Sequence, residues 1–269
     1  MIKTIIITGS TDGIGKLTAL KLAKEGHTIY VHGRSEAKVN AVVSEIKEAS
    51  KNQNIKGLEA DFSDLEAVSK LAEQIKNEIP KIDILINNAG IFKTKDTFTG
   101  KGLDYRMVVN YLAPYVLTNA ILQNIKNADS PRIINLSSAA QSPVSEAVLK
   151  GKEQVSENNS YAQSKLALTM WSFHLAKKEP NITVIAVNPG SLLNTKMVQE
   201  AFGKHWSSAE KGVAILHDLA ISEAYKNDSG KYFDNDKGNP KGNFAKAHPD
   251  AYDEELISKL TIKTEEIIS

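Results

Sequence analysis

Short aliphatic runs alternate along the chain with longer stretches whose apolar residues recur every three to four positions. Ile5 to Ile7 is followed by a helical pattern through Leu17, Leu20 and Leu22, and Thr28 to Val31 by one through Val39, Val42, Val43 and Ile46. Ile55 to Ala60 precedes a third, through Leu65, Val68, Leu71 and Ile75. Ile84 to Ile86, Ile133 to Leu136 and Val184 to Val187 continue the strand-like series, and Leu256 and Leu260 mark a closing helix. Near-continuous apolar runs of this kind suit strands covered by helices on both faces. Alternation of strand and helix, with right-handed crossovers, predicts an α/β fold built on a doubly wound parallel sheet. No repeat and no linker divides residues 1–269, which read as a single domain. Two stretches break the rhythm and are expected as polar loops. They are Gln141 to Asn159, and Asn227 to Asp253 with Gly230, Gly238, Pro240, Gly242 and Pro249.

Composition narrows the class. Thirty-three Lys+Arg against 32 Asp+Glu leave a formal charge of +1, too weak a field to steer nucleic acid or an anionic membrane. The absence of cysteine excludes disulfides, thiolate metal sites and cysteine nucleophiles. His27, His32, His174, His205, His217 and His248 show no metal-ligand spacing, so no metal is expected. Met1 leads into an apolar run far too short to span a bilayer, with no basic leader and cleavage site. The expectation is a cytoplasmic protein acting on a small molecule. Its 41% hydrophobic residues suffice for one substantial core.

Chemistry enters at the end of the first strand, in Thr8-Gly9-Ser10-Thr11-Asp12-Gly13-Ile14-Gly15. Glycines at a strand-to-helix junction let the backbone turn tightly and approach a pyrophosphate. The helix N-terminus then stabilises that group through free N–H groups and its dipole. The spacing is Gly-x-x-x-Gly-x-Gly, not the commoner Gly-x-Gly-x-x-Gly, and no Gly-Lys-Ser/Thr ending follows, which argues against a triphosphatase P-loop. Tyr161 and Lys165 stand four apart, on one face of a predicted helix. A phenol titrates at about 10, so it needs a nearby cation to serve as acid or base at neutral pH. The second strand ends in Val31-His32-Gly33-Arg34-Ser35. An acidic residue there would suit the free ribose hydroxyls of NAD, whereas an arginine suits a 2′-phosphate.

With these motifs the chain resembles the short-chain dehydrogenase/reductase family over nearly its whole length. Thr8 to Gly15 is similar to that family's cofactor turn, and Asn87-Asn88-Ala89-Gly90 to its Asn-Asn-Ala-Gly element. Ile133 to Ser138 resembles the strand ending in its catalytic serine, and Tyr161-Ala162-Gln163-Ser164-Lys165 its Tyr-x-x-x-Lys pair. Asn188-Pro189-Gly190 resembles its turn beside the nicotinamide. The resemblance implies a catalytic set of Asn110, Ser138, Tyr161 and Lys165. Tyr161 is the general acid/base, Ser138 orients the substrate oxygen, and Lys165 supplies charge and holds the nicotinamide ribose. Asn110, placed mid-helix, holds a water for proton relay. Cofactor contacts are implied for Gly9, Ser10, Thr11, Gly13, Ile14 and Gly15, and for Arg34 and Ser35. They are also implied for Asp61 and Phe62, for Asn88, Ala89 and Gly90, and for Tyr161, Lys165, Pro189 and Gly190. Arg34 and Ser35 resemble NADP-preferring members, so NADP(H) is the expected cofactor and NAD(H) the alternative. The family commonly forms homodimers or homotetramers through the helices holding Asn110 and Tyr161.

The pattern departs in two places. Ser138 and Tyr161 are twenty-three residues apart, where common members have about a dozen, and the excess falls between 141 and 159. That spacing and Val109-Asn110-Tyr111-Leu112-Ala113-Pro114 are similar to the retinol-dehydrogenase-like subgroup, without implying retinol as substrate. Thr195 lies five residues past Gly190 where four is usual, so Asn194 and Thr195 stay open as partners of the carboxamide. The expected activity is that of a carbonyl reductase, exchanging hydride between NADP(H) and a carbonyl or alcohol. A non-catalytic dinucleotide-binding sensor or scaffold is the alternative. A sugar-nucleotide epimerase would need a longer chain and a Gly-x-x-Gly-x-x-Gly turn.

Overall fold

The computed structural model describes residues 1–237 and 242–269. Its first half follows the apolar pattern: β1 (Thr4–Ile7), α1 (Gly13–Lys24), β2 (Thr28–Gly33), α2 (Glu36–Ser50), β3 (Ile55–Glu59), α3 (Leu65–Glu78) and β4 (Ile84–Asn87). A short α4 (Tyr105–Met107) passes through a π-helical turn at Val108–Leu112 into α5 (Ala113–Ala120) and α6 (Leu122–Lys126). Next come β5 (Arg132–Leu136), α7 (Glu146–Leu149), α8 (Glu157–Lys178), β6 (Thr183–Asn188), α9 (Lys196–Phe202) and α10 (Ala209–Ile221). The chain closes with β7 (Lys231–Asp234), β8 (Asn243–Ala245) and α11 (Glu254–Ile268).

The strands form one sheet in the order β3-β2-β1-β4-β5-β6-β7-β8, parallel throughout except for the β7–β8 pair. Period-two alternation explains why its inner strands are apolar at every position. Ile6, Leu85, Ile133 and Val184 join one core with α3, α5 and α8, through residues such as Val68, Leu117 and Leu166. Ile5, Ile7, Ile84, Ile86, Ile134 and Ile185 join the other, with Leu22 of α1, Val42 of α2 and Leu216 of α10.

Both expected loops hold structure. Asn227 to Asp253 contributes β7, β8 and a 3₁₀ turn at Pro249–Tyr252. Gly238 and Pro240, part of that expectation, lie outside the described residues. Tyr232 and Phe233 are buried in β7, but a four-residue strand among Lys, Asp and Gly is too short for periodicity to reveal. Within 141–159, the Ser145 hydroxyl accepts the Val148 N–H to start α7, and the Ser156 hydroxyl accepts the Asn159 N–H to start α8. Polar capping residues thus resembled loop composition.

Candidate active site

The candidate residues gather at the C-terminal ends of the parallel strands, around the point between β1 and β4 where the winding reverses. Open α/β sheets bind ligands at such switch points. Gly9 ends β1 at φ +61, a conformation that favours glycine, and a Cβ there would stand 2.6 Å from Ala89 Cα. A Cβ on Gly15 would meet Asn88 Nδ2 at 2.4 Å. That amide donates to the carbonyls of Thr8 and Gly9, each at 2.8 Å. Asp12 is the N-cap of α1 and accepts the Gly13 N–H at 2.7 Å. The first-turn N–H groups of Ile14 and Gly15 keep no acceptor within their helix. Bare backbone backed by a helix N-terminus is a cradle that fits a dinucleotide's pyrophosphate.

Not every expected cofactor residue lines this cleft with its side chain. Ser10 is wholly buried, with its hydroxyl on the Ile7 carbonyl at 2.7 Å and its N–H on the His32 carbonyl at 2.8 Å. It builds the turn from beneath. Phe62 is buried with its ring 4.3 Å from that of His32, and so packs under the end of β3. Asp61 accepts from the Ser63 N–H and hydroxyl at 2.9 and 2.8 Å. Arg34 is exposed at the end of β2, and Ser35 begins α2 without capping it through its side chain.

Across the cleft, α8 carries Tyr161 and Lys165. Lys165 is 4% exposed. Its ammonium donates to the Leu136 carbonyl at 2.7 Å and lies 5.6 Å from the centre of the Tyr161 ring. Of the Ser137-Ser138 pair, Ser137 points inward, donating to the Lys165 carbonyl at 3.2 Å and pairing with the Thr169 hydroxyl at 2.6 Å. Ser138 stands near enough to the Tyr161 phenol to draw its pKa down, and its hydroxyl accepts the Ala140 N–H at 3.1 Å. Asn110 lies in the π-helical turn Val108–Leu112, not in the regular helix expected. The wider turn accommodates an inward Asn whose Nδ2 donates to the Ile91 carbonyl and the Ser164 hydroxyl, both at 3.0 Å. Its Oδ1 accepts the Ile91 N–H at 2.8 Å. A Cβ on Gly90 would stand 3.3 Å from Asn110 Oδ1 and 3.4 Å from Lys165 Nζ, so three elements meet there.

Burial lowers the Lys165 pKa to about 8. It raises that of Tyr161, while Ser138 pulls the phenol back down. At neutral pH the site therefore holds a protonated phenol beside an ammonium, a proton donor with a cation ready to stabilise its conjugate base.

Several supporting residues had no sequence signal. The Phe92 ring lies 4.9 Å from that of Tyr161. Arg106, fully buried, donates to the Phe92 carbonyl and to Glu157 in the first turn of α8, both at 2.7 Å. Tyr232 and Gln141 both donate to the Ser138 carbonyl at 2.9 Å. Asn235 donates to the Pro189 carbonyl at 2.7 Å, and Asp236 accepts from the Ser191 N–H at 3.0 Å and Asn188 Nδ2 at 2.8 Å. The exit of β7 thereby fixes the Pro189–Gly190 turn. A strand recognised at Tyr232-Phe233 would have brought Asn235 and Asp236 to that turn beforehand. Thr195 caps α9 and its Cγ2 would lie 3.7 Å from a Cβ on Gly13, whereas Asn194 is exposed. Among the described residues, no group of three or more His, Asp or Glu is placed to hold a metal ion.

A family profile described as short chain dehydrogenase matches residues 3–206, from β1 to beyond α9. The chain belongs to the short-chain dehydrogenase family. It is 32% identical over 243 residues to retinol dehydrogenase 12 of Mus musculus, covering 86% of this chain and 77% of that one. To retinol dehydrogenase 13 of Homo sapiens it is 30% identical over 285 residues, covering 99% and 84%. The likeness expected from the Ser138–Tyr161 spacing is therefore borne out. An Escherichia coli CFT073 protein described as a short-chain dehydrogenase and solved with NADPH superposes with a TM-score of 0.71 at 26% identity, over 86% of this chain and 95% of that one. The protein is an oxidoreductase of the Rossmann type. Among the described residues no helix is long and apolar enough to cross a membrane.

Proposed function

We propose that the protein is an NADP(H)-dependent carbonyl reductase in which Tyr161 is the proton donor. One observation carries this reading: the buried Lys165 ammonium lies 5.6 Å from the centre of the Tyr161 ring and Ser138 acts on the same phenol, at the strand ends that also hold the glycine-lined helix N-terminus. When bound, the nicotinamide supplies or accepts the hydride. Ser138 donates to the substrate carbonyl oxygen and orients it, and Tyr161 delivers the proton that completes the alcohol. The Lys165 charge stabilises the phenolate left behind, and Asn110 holds the Ile91 loop against α8 behind it. Gly9, Thr11, Gly13, Ile14 and Gly15 would hold the pyrophosphate, with Ser10 beneath them. Asn88, Ala89 and Gly90 would line the opposite wall, and Pro189 and Gly190 would contact the nicotinamide.

Arg34 and Ser35, at the end of β2, support NADP(H) over NAD(H), and the NADPH complex of the E. coli neighbour supports the same choice. The segment after Gly190 exposes Trp206 by 71% and Met197 by 37%, which supports an apolar substrate. The names of the retinol dehydrogenase relatives point the same way. As to assembly, α11 packs on the helices that the family resemblance assigns to subunit contact, which favours a monomer over a homodimer or homotetramer. The test is turnover of aliphatic and aromatic aldehydes, ketones and quinones with NADPH and with NADH, followed by cofactor absorbance. Turnover of apolar aldehydes with NADPH is expected. Tight cofactor binding with no turnover across the panel would favour a dinucleotide sensor instead.

A further inference from the structure

His32 lies far from Tyr161 in sequence and takes no part in proton transfer, yet it is wired to the glycine turn. Its side chain is buried at the end of β2. The Gly9 N–H donates to Nδ1 at 3.0 Å, and Nε2 lies 3.1 Å from the Ala60 carbonyl. A backbone N–H can only donate and a carbonyl can only accept. Only the neutral tautomer with Nδ1 bare and Nε2 protonated satisfies both. The backbone repeats the link, since the His32 N–H donates to the Ser10 hydroxyl at 3.0 Å and the Ser10 N–H to the His32 carbonyl at 2.8 Å. The ring also packs on Phe62. A single residue therefore joins the ends of β1, β2 and β3. Burial lowers its pKa to about 4, and the opposing effects of the Ala60 bond and the Asp61 carboxylate are smaller. The ring stays neutral in ordinary conditions.

We propose that His32 is a positioning residue of the cofactor cleft, holding the glycine turn at a set distance from the wall at the end of β3. It therefore governs affinity for the dinucleotide as a whole, without discriminating between NADPH and NADH. The inference rests on the dinucleotide reading above, although the tautomer itself does not. Asn places an acceptor close to where Nδ1 stands, and Gln places a donor close to where Nε2 stands. His32→Asn thus keeps the bond to Gly9, His32→Gln keeps only that to Ala60, and His32→Leu keeps neither.

Two measurements test the proposal. Long-range ¹H–¹⁵N spectra of the protein between about pH 5 and 8 should show His32 as the Nε2–H tautomer without titration. The opposite tautomer, or titration at about 6.5, would overturn the clamp. Dissociation constants for both cofactors, measured beside melting temperatures, form the second arm. His32→Asn should stay within about three-fold of wild type, while His32→Gln and His32→Leu should weaken NADPH and NADH alike by about five- to ten-fold or more. Equal losses in Asn and Gln that track the melting temperature would overturn the proposal, leaving a space-filling ring. A wild type that binds neither cofactor would overturn the dinucleotide reading and the proposal together. Normal wild-type binding with flat variants would overturn the proposal alone.

Discussion

Burial pushes the two central side chains of the site toward their neutral forms, raising the Tyr161 phenol and lowering the Lys165 ammonium to about 8. The first effect keeps a proton on Tyr161 across the neutral range. Tyr161→Phe should therefore reduce kcat by about 10²–10⁴-fold while leaving the NADPH dissociation constant nearly unchanged. Steady-state kinetics beside a binding titration check this, and full activity in the variant would sink the mechanism. The Lys165 charge is present below about 8 and lost above it. In the reduction direction kcat/KM should hold level to about pH 8 and then decline, since the free enzyme's ionisations govern that quantity. Lys165→Met should lose both turnover and cofactor affinity, and the residual rate should lack that alkaline limb. Arg34 makes a separate prediction, because it is exposed at the end of β2 and the proposed function assigns it the 2′-phosphate. A charge-assisted hydrogen bond contributes roughly 1.5–3 kcal/mol, so Arg34→Ala should weaken NADPH by about ten- to a hundred-fold with NADH little affected. Equal shifts for the two cofactors would refute that role.

At the scale of elements, the π-helical turn is the local structure that places Asn110. One turn of larger diameter aims its amide at the Ile91 backbone, where a regular helix would present a different face to the loop after β4. Asn110→Ala leaves the Ile91 N–H and carbonyl without these partners. It should lower stability by about 1–3 kcal/mol, read from urea unfolding, and lower kcat through the displaced loop. An unchanged unfolding midpoint would mean that the loop finds other partners. β7 acts at the same scale. Its exit supplies Asn235 and Asp236 to the Pro189–Gly190 turn, and Tyr232 within it braces the Ser138 carbonyl. Two short elements that periodicity could not distinguish thus shape both ends of the site.

Across the whole molecule, α11 packs against the π turn, α5 and α8. Tyr111 meets the Thr264 hydroxyl at 2.7 Å, Tyr115 bonds Glu265, and Ile257 and Leu260 enter the core that holds Trp171. The chain's own last helix therefore occupies part of the outer face of the helices holding Asn110 and Tyr161. Sedimentation at micromolar concentration should find a monomer, and removal of residues 254–269 should produce association as that apolar face is uncovered. A stable dimer of the intact chain would show that a different surface makes the contact.

The alternation of aliphatic runs with amphipathic stretches was enough to predict the parallel sheet through β6, because strands buried on both faces must be apolar throughout. The glycine turn and the Tyr161–Lys165 spacing were equally legible, since both are local: a backbone that must approach a ligand, and two side chains one helical turn apart. Tertiary structure decided the rest, because it depends on partners distant in the chain. Nothing near Phe62 in sequence indicates that its ring turns inward onto His32, and the Ser10 hydroxyl, bonded locally to Ile7, also takes the His32 N–H from a distant strand. Ser137 and Ser138 are chemically identical, and only packing against Thr169 or Tyr161 separates them. His32 has an unremarkable place in the sequence. It becomes a clamp because three strand ends are brought together around one buried ring.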